Sequence, residues 1–180
     1  YDKAVADYTS ALILQPNNAF GYYNRGISQD RKHALEGALE DFTKAVELQP
    51  SNADFHHNRA FCLRRLGRFE EATQDYAKSL ELEPRHFKAL YNMAFCMEKL
   101  GDPDGALEKY TKALEISPRH FASLTARAAL HEAGGRLEEG IADLNTAIEC
   151  LQEHQQSKQT NGSLTPQLVC SAYLARAKLH

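Results

Sequence analysis

The sequence is poor in the features that mark membrane proteins, disulfide-stabilised proteins and nucleic-acid-binding proteins. No stretch of its 180 residues approaches the roughly eighteen apolar residues that a membrane-spanning helix needs, so we expect no membrane insertion. The 4 cysteines never form a C-x-x-C pair, which favours reduced thiols in a cytoplasmic or similar compartment. The formal net charge of −3 argues against nucleic acid as the main ligand.

Motifs that carry enzymatic chemistry are also missing. There is no glycine-rich phosphate loop and no nucleophile motif. The histidines do not follow the spacing of metal ligands; His86 and His120, for example, stand at corresponding places in a repeated pattern. We therefore expect no enzymatic activity, no metal site and no cofactor.

Internal repetition is what the sequence does contain. Proline recurs every 34 residues, and three further columns of residues keep the same step. The columns are Pro16, Pro50, Pro84 and Pro118; Ala4, Ala38, Ala72 and Ala106; Tyr8, Phe42, Tyr76 and Tyr110; and Gly26, Ala60, Ala94 and Ala128. Chance does not keep four columns in register over four periods, so the pattern predicts a repeat architecture.

Each period predicts two helices joined by a tight turn. The first helices are predicted over 20–32, 54–66, 88–100 and 122–133, and the second helices over 35–48, 69–82, 103–116 and 137–151. Gly67, Gly101 and Gly135 lie between the two helices of three repeats, where a left-handed residue ends the first helix. His33 occupies this position in the first complete repeat. The small-residue columns allow the paired backbones to approach closely.

These columns resemble a known family. Tyr22-x-x-Arg25-Gly26, followed by Ala38-x-x-x-Phe42 and then Pro50, is similar to the tetratricopeptide-repeat signature, with Tyr for its Trp and Arg for its Leu. The resemblance covers nearly the whole chain. It implies an all-α fold, a right-handed α-solenoid of antiparallel helix pairs whose first helices line a concave groove. The resemblance does not identify the protein that would bind in this groove.

The repeat boundaries follow from the columns. Residues 1–18 are predicted to be the second helix of a truncated repeat, and residues 168–180 the first helix of another. Complete repeats are predicted at 19–52, 53–86, 87–120 and 121–153, with a flexible loop insertion at 154–167. Solenoids normally end in polar capping helices, and neither end has one, so we expect an internal fragment of a longer array.

Two charged columns vary together from repeat to repeat. Three of the four complete repeats carry Arg on the first helix and Asp on the second, whereas the remaining repeat has Met93 and Lys109 at these places. The paired residues are Arg25 with Asp41, Arg59 with Asp75, and Arg127 with Asp143. Because both members are lost together, we predict an ion pair between the two helices of each of the three repeats.

The candidate binding residues lie on the first helices, which carry a basic excess while the second helices are acidic. In the family that the chain resembles, ligands touch one stripe of the first helices. Here that stripe suggests an asparagine ladder, apolar pockets and basic positions for a partner's acidic residues. The ladder is Asn24, Asn58 and Asn92; the pocket residues are Tyr23, His57, Tyr91, Ile27, Phe61 and Phe95; the basic residues are Arg64, Arg65, Lys88 and Lys99. An asparagine side chain can both donate and accept, so a ladder of them can bind a peptide backbone.

Several functions are compatible with this pattern. The first is a non-catalytic scaffold that binds an extended or helical protein segment with acidic and apolar residues, within a multi-protein complex. The second is the substrate-recruiting repeat region of a larger enzyme, because the ladder resembles that of O-GlcNAc transferase. A chaperone-binding clamp fits less well, since Tyr23 and Ile27 stand where its first Lys and Asn are expected. Arrays with irregular repeats suggest a cytoplasmic, and by resemblance a ciliary, location.

Overall fold

The computed structural model describes residues 1–157 and 176–177. Within them the chain is entirely α-helical between short turns. The helices are α1 (Asp2–Leu14), α2 (Ala19–Arg31), α3 (Leu35–Leu48), α4 (Ala53–Arg65), α5 (Phe69–Leu82), α6 (Phe87–Lys99), α7 (Pro103–Ile116), α8 (Phe121–Ala133) and α9 (Leu137–Ser157). They form two compact units, Tyr1–Asp102 with α1 to α6 and Pro103–His180 with α7 to α9.

The helix bounds agree with the periodicity of the sequence, because each first helix begins and ends one residue or less from its predicted limits. One difference concerns α9, which continues to Ser157 instead of ending at 151. The start of the predicted loop at 154–167 is therefore helical, and the rest of that loop lies outside the described residues. The same is true of the predicted helix at 168–180, apart from the helical residues 176–177.

Side chains at the turns explain why the first helices begin where they do. The side chains of Asn18 and Asn52 accept hydrogen bonds from backbone N–H groups in the first turns of α2 and α4. His86 and His120 have the same capping role for α6 and α8 through their ring nitrogens. These caps satisfy helix N–H groups that have no partner within the helix, so the recurring histidines are structural parts of the repeat.

The ends of the first helices confirm the predicted left-handed positions. Gly67, Gly101 and Gly135 have φ angles of 77°, 77° and 72°, and nothing approaches within 4 Å of where a Cβ would stand. His33 has a φ of 62° and is the one non-glycine residue with a positive φ among the described residues. A side chain in this conformation is strained, so His33 marks a turn that glycine would suit better.

Within each unit the core lies between paired helices and between neighbouring repeats. Its alanine column, Ala38, Ala72 and Ala106, is fully buried, as is most of the aromatic column, Phe42, Tyr76 and Tyr110. At Gly26 a Cβ would come within 2.9 Å of the Phe42 ring, so a larger residue would push the two helices apart. The small columns therefore make room for the aromatic column, as the sequence predicts.

The three predicted ion pairs are present. In each, an arginine donates two hydrogen bonds to both oxygens of the aspartate sixteen residues later, at 2.6–2.8 Å. The pairs are Arg25–Asp41, Arg59–Asp75 and Arg127–Asp143. All three aspartates are buried, so each bidentate pair fixes the register of the two helices of its repeat.

Candidate functional site

The candidate site is the surface that α2, α4 and α6 make in the first unit, which we call the first-helix face. Contacts between neighbouring helices build it. Asn58 on α4 donates through Nδ2 to the Tyr23 hydroxyl on α2 at 3.0 Å and to the Asp54 carbonyl at 2.8 Å. Arg65 near the end of α4 pairs with Asp30 on α2, and its Nη2 also lies 3.0 Å from His33 Nδ1. These contacts hold α2 and α4 side by side.

A first pocket of about 530 Å³, the N-terminal pocket, opens near the start of α4 and α6. It is lined by Tyr23, Asp54, His57, Asn58, Glu83, His86, Phe87 and Lys88. The His57 and His86 rings stack with centroids 4.7 Å apart, and His86 Nε2 lies 3.4 Å from Asp54 Oδ1. The lining combines aromatic surface with charges of both signs, so it suits an apolar side chain flanked by polar atoms.

His57 is held neutral in this pocket. Burial, together with the electrostatic effects of His86 and Lys88, lowers its pKa to about 4 against the weaker opposing effect of Asp54. Its Nε2 is buried and makes no hydrogen bond. A neutral imidazole without a neighbouring nucleophile behaves here as an aromatic wall, and it also contacts the rings of Phe61 and Tyr76.

A second pocket of about 430 Å³, the C-terminal pocket, lies between the later turns of α2 and α4. Its lining is Ile27, Asp30, Arg31, Phe42, Asn58, Phe61 and Arg65. Asn58 therefore borders both pockets, with its two amide hydrogens engaged and its Oδ1 left as an acceptor. Arg65 is less available than its sequence position suggests, because Asp30 already neutralises it.

A third feature, the arginine sandwich, occupies the last turns of α4 and α6. The guanidinium carbon of Arg64 lies 4.9 Å from the ring centres of both Phe61 and Phe95. The Lys99 ammonium lies 5.3 Å from the centre of the same Phe95 ring. Phe95 also meets Phe69 edge to face at 6.4 Å. Two cations thus share one aromatic ring.

The structure separates the sequence-predicted residues into different environments. Asn24 on α2 is half-buried, Asn58 joins the two pockets, and Asn92 on α6 is only 7% exposed. His57 is also buried, at 8% exposure, whereas Lys88 and Lys99 are exposed. Tyr91 is half-buried. The three asparagines share a column but not an environment, so they do not form three equivalent rungs.

Sequence reasoning did not single out several residues that line the pockets. His86, Glu83 and Arg31 are among them, and Asp30 enters both a pocket and an ion pair. The recurrence of His86 and His120 correctly indicates a structural role, but His86 also forms a pocket wall. Only the fold shows this, because the residue that His86 stacks on lies on another helix.

The described residues offer neither a metal site nor a membrane-spanning helix. Among the residues that the structure describes, no group of three or more His, Cys, Asp or Glu side chains could hold a metal ion. None of the described helices is long and apolar enough to cross a membrane.

Comparisons with known proteins agree with the repeat architecture. Two family models, both described as tetratricopeptide repeat, match residues 52–119 and 98–154, which together are more than half of the 180 residues. The chain belongs to the tetratricopeptide-repeat family. Its fold is the all-α solenoid of that family, whose members generally serve as non-catalytic interaction modules. No curated protein sequence matches the chain.

Solved structures of low sequence identity share this tetratricopeptide fold. A crystal structure of MamA is 20% identical, with a TM-score of 0.83 over 86% of this chain and 91% of that one. YrrB, described as a TPR protein with an unusual peptide-binding site, is 23% identical, with a TM-score of 0.75 over 86% and 79%. The first TPR of Spaghetti (RPAP3), bound to the HSP90 peptide SRMEEVD, is 22% identical, with a TM-score of 0.64 over 65% and 93%.

Proposed function

We propose that this tetratricopeptide protein is a non-catalytic scaffold whose first-helix face binds an extended segment of a partner protein within a larger assembly. The observation that carries the proposal is the pair of pockets that meet at Asn58. Each is large enough for an apolar side chain, and the residue between them offers a hydrogen-bond acceptor. This is the arrangement that an extended peptide needs, with side chains in pockets and a backbone N–H between them.

Asn58 is the central contact in this proposal. Its Nδ2 is committed to Tyr23 and Asp54, which leaves Oδ1 to accept a backbone N–H from the partner. The Tyr23 hydroxyl fixes the orientation of the amide, because it accepts one of the two amide hydrogens. A preoriented acceptor loses little side-chain entropy on binding. Asn92 then has a lesser role than Asn58, since Asn92 is buried.

The charges at the pockets favour a segment with both apolar and acidic residues. Lys88 stands exposed at the N-terminal pocket and Arg31 lines the C-terminal pocket. Acidic residues of the partner would pair with these cations, whereas Asp54 and Glu83 would repel an acidic side chain placed deeper in the N-terminal pocket. Two of the similar structures are described as having a peptide-binding site or a bound peptide, which supports a protein segment as the ligand.

A degenerate nonapeptide library, passed over the immobilised protein, tests the proposal without knowledge of the partner. We expect a retained pool enriched in apolar residues. Asn58→Ala removes the proposed acceptor and should weaken retention about fivefold, the loss expected for one hydrogen bond of about 1 kcal/mol. Asn17→Ala, an exposed asparagine in the turn before α2, is the matched control and should bind like the unaltered protein. Equal loss in both variants, or no retained pool, would contradict peptide binding at this face.

The alternative functions are separated by further probes. The peptide SRMEEVD tests the chaperone clamp, and we expect at most weak binding because Tyr23 and Ile27 replace the expected clamp residues. The role of a substrate-recruiting region in a larger enzyme remains a proposal of the same kind, favoured by Asn24 and Asn58 alone. A cytoplasmic and ciliary location belongs to the proposal too, and imaging of the tagged full-length protein would test it.

A further inference from the structure

The arginine sandwich of Arg64, Phe61 and Phe95 joins α4 to α6 without an ion pair. No ion pair of Arg64 occurs in the part of the chain that the structure describes. Phe61 and Phe95 cover it at equal distances of 4.9 Å. Its Nε is buried without a hydrogen-bond partner. The charge of Arg64 also acts on the buried hydroxyl of Tyr76, where it opposes the rise in pKa that burial causes. An anionic partner for Arg64 therefore has to come from another molecule.

We infer that Arg64 is the residue by which the first-helix face selects a carboxylate, an aspartate or glutamate side chain of the bound segment. The inference rests on the proposed peptide binding and adds the identity of one recognised side chain. A guanidinium placed between two rings donates in its own plane, which matches the two oxygens of a carboxylate.

The surrounding charges point to the same ligand. Lys99 lies over the Phe95 ring at 5.3 Å, so two positive charges stand at one ring, and Lys99 also lacks an ion pair among the described residues. Two unneutralised cations repel each other, and an anion between them relieves this repulsion. Arg65, the next residue along α4, differs because Asp30 already neutralises it. Of these two adjacent arginines of α4, only Arg65 therefore has an ion-pair partner among the described residues.

Another role for Arg64 would be to complement the negative C-terminal end of α4, where both Arg64 and Arg65 lie in the last turn. That role needs only a positive charge and would be satisfied equally by lysine. Carboxylate selection needs the planar group and its two parallel donors. Arg64→Lys therefore distinguishes the two roles, because it retains the positive charge and removes the planar guanidinium with its two parallel N–H donors.

The test uses the degenerate nonapeptide library on the whole protein, with the retained pool sequenced. For the unaltered protein we expect one position at which Asp and Glu exceed Asn and Gln by about tenfold or more, as for a charge-assisted hydrogen bond. Arg64→Gln should abolish this acidic preference while the apolar preferences remain. Arg64→Lys should keep only a small part of it. The matched control is Arg68→Gln, which should keep the acidic preference fully, because Arg68 is an exposed arginine that already pairs with Glu71 and lines neither pocket. Far-ultraviolet circular dichroism should show unchanged helix content in all variants.

The outcomes separate the inference from the proposed function. If Arg64→Gln unfolds, the unaltered protein is compared with Arg64→Lys, Lys99→Gln and the control Arg68→Gln. Lys99 is exposed, so its loss should reduce the acidic preference without loss of fold. If the retained peptides are enriched in apolar residues but show no position enriched in Asp or Glu, the inference is overturned and peptide binding is left intact. An acidic preference that survives Arg64→Lys undiminished, or that is lost equally in the control Arg68→Gln, also overturns it. An empty pool overturns both.

Discussion

At the scale of single residues, the arginine–aspartate pairs show that a buried carboxylate can help to hold two helices together. Asp75 accepts two hydrogen bonds of 2.6 Å from Arg59, and His56 Nδ1 lies 3.4 Å from the same carboxylate. His56 also reaches the Pro50 carbonyl at 2.9 Å, so this cluster joins the turn before α4 to α5. A buried carboxylate with this many partners is costly to leave unpaired.

Asp75→Asn should therefore destabilise the protein. We expect a loss of about 2–3 kcal/mol in the free energy of unfolding, because the amide cannot match the two charged hydrogen bonds of Arg59. Urea unfolding followed by circular dichroism measures this change. Glu71→Gln removes an exposed ion pair with Arg68 and is the control that should change little. Equal effects of the two substitutions would show that burial of Asp75 does not matter.

His57 makes stability depend on pH. Its pKa is lowered to about 4 in the folded protein by burial and by the charges of His86 and Lys88 against the weaker pull of Asp54. The unfolded chain therefore takes up a proton first as the pH falls below about 6.5, and stability declines from there towards pH 4. By pH 4.5 this one group should remove about 2–3 kcal/mol relative to pH 7.

The measurement is urea unfolding at pH 7, 5.5 and 4.5, with His57→Phe compared against the unaltered protein. The phenylalanine preserves a ring against His86 and Phe61 but cannot titrate. Other groups, such as His120 and His131 with lowered pKa values, contribute equally to both proteins and cancel in the difference. If the two proteins lose stability in parallel as the pH falls, His57 is not the source of the slope.

At the scale of helices, the sequence predicts nearly everything that repeats. Helix bounds, the glycine turns and the ion pairs follow from columns that recur every 34 residues. Residues of one column recur in the same place within each repeat, so their local surroundings are similar. The binding face could be predicted only in part. Arg65 pairs with Asp30, whereas Lys99, at the corresponding position of the next repeat, lies over the Phe95 ring. Residues at corresponding positions therefore differ in whether their charge is free to bind a partner. Such differences depend on the neighbouring helix and not on the column.

The turn at His33 gives a prediction at the same scale. His33→Gly should raise the free energy of unfolding by about 0.5–1 kcal/mol, because glycine adopts the positive φ without strain. Gly67→Ala is the reciprocal change at the equivalent turn and should cost about 1 kcal/mol, since no neighbour would clash and only the backbone conformation is penalised. Thermal unfolding of both variants measures the pair. A His33→Gly variant less stable than the parent would mean that the contact of His33 with Arg65 outweighs the strain.

At the scale of the whole molecule, stability in a repeat array is a sum of repeats and of contacts between neighbours. In the first unit these contributions differ along the chain. Helix α1 buries only Leu12, and its Ile13 and Leu14 are 76% and 83% exposed. Helix α4 buries six side chains and packs against α3, α5 and α6. Opening α1 therefore exposes little apolar surface, whereas opening α4 disrupts the centre of the unit.

Hydrogen exchange should reveal this difference as a gradient. We expect the amides of α1 to exchange first, through local opening that costs far less than global unfolding, and those of α4 and α5 to exchange last. Asp75→Asn should then speed exchange in α4 and α5 while leaving α1 nearly unchanged, because α1 does not depend on the Arg59–Asp75 pair. Exchange measured by mass spectrometry on peptic fragments resolves these helices. Uniform protection from α1 to α5 would mean that the unit opens as a single cooperative block, and the description of its stability as a sum over repeats would then be wrong.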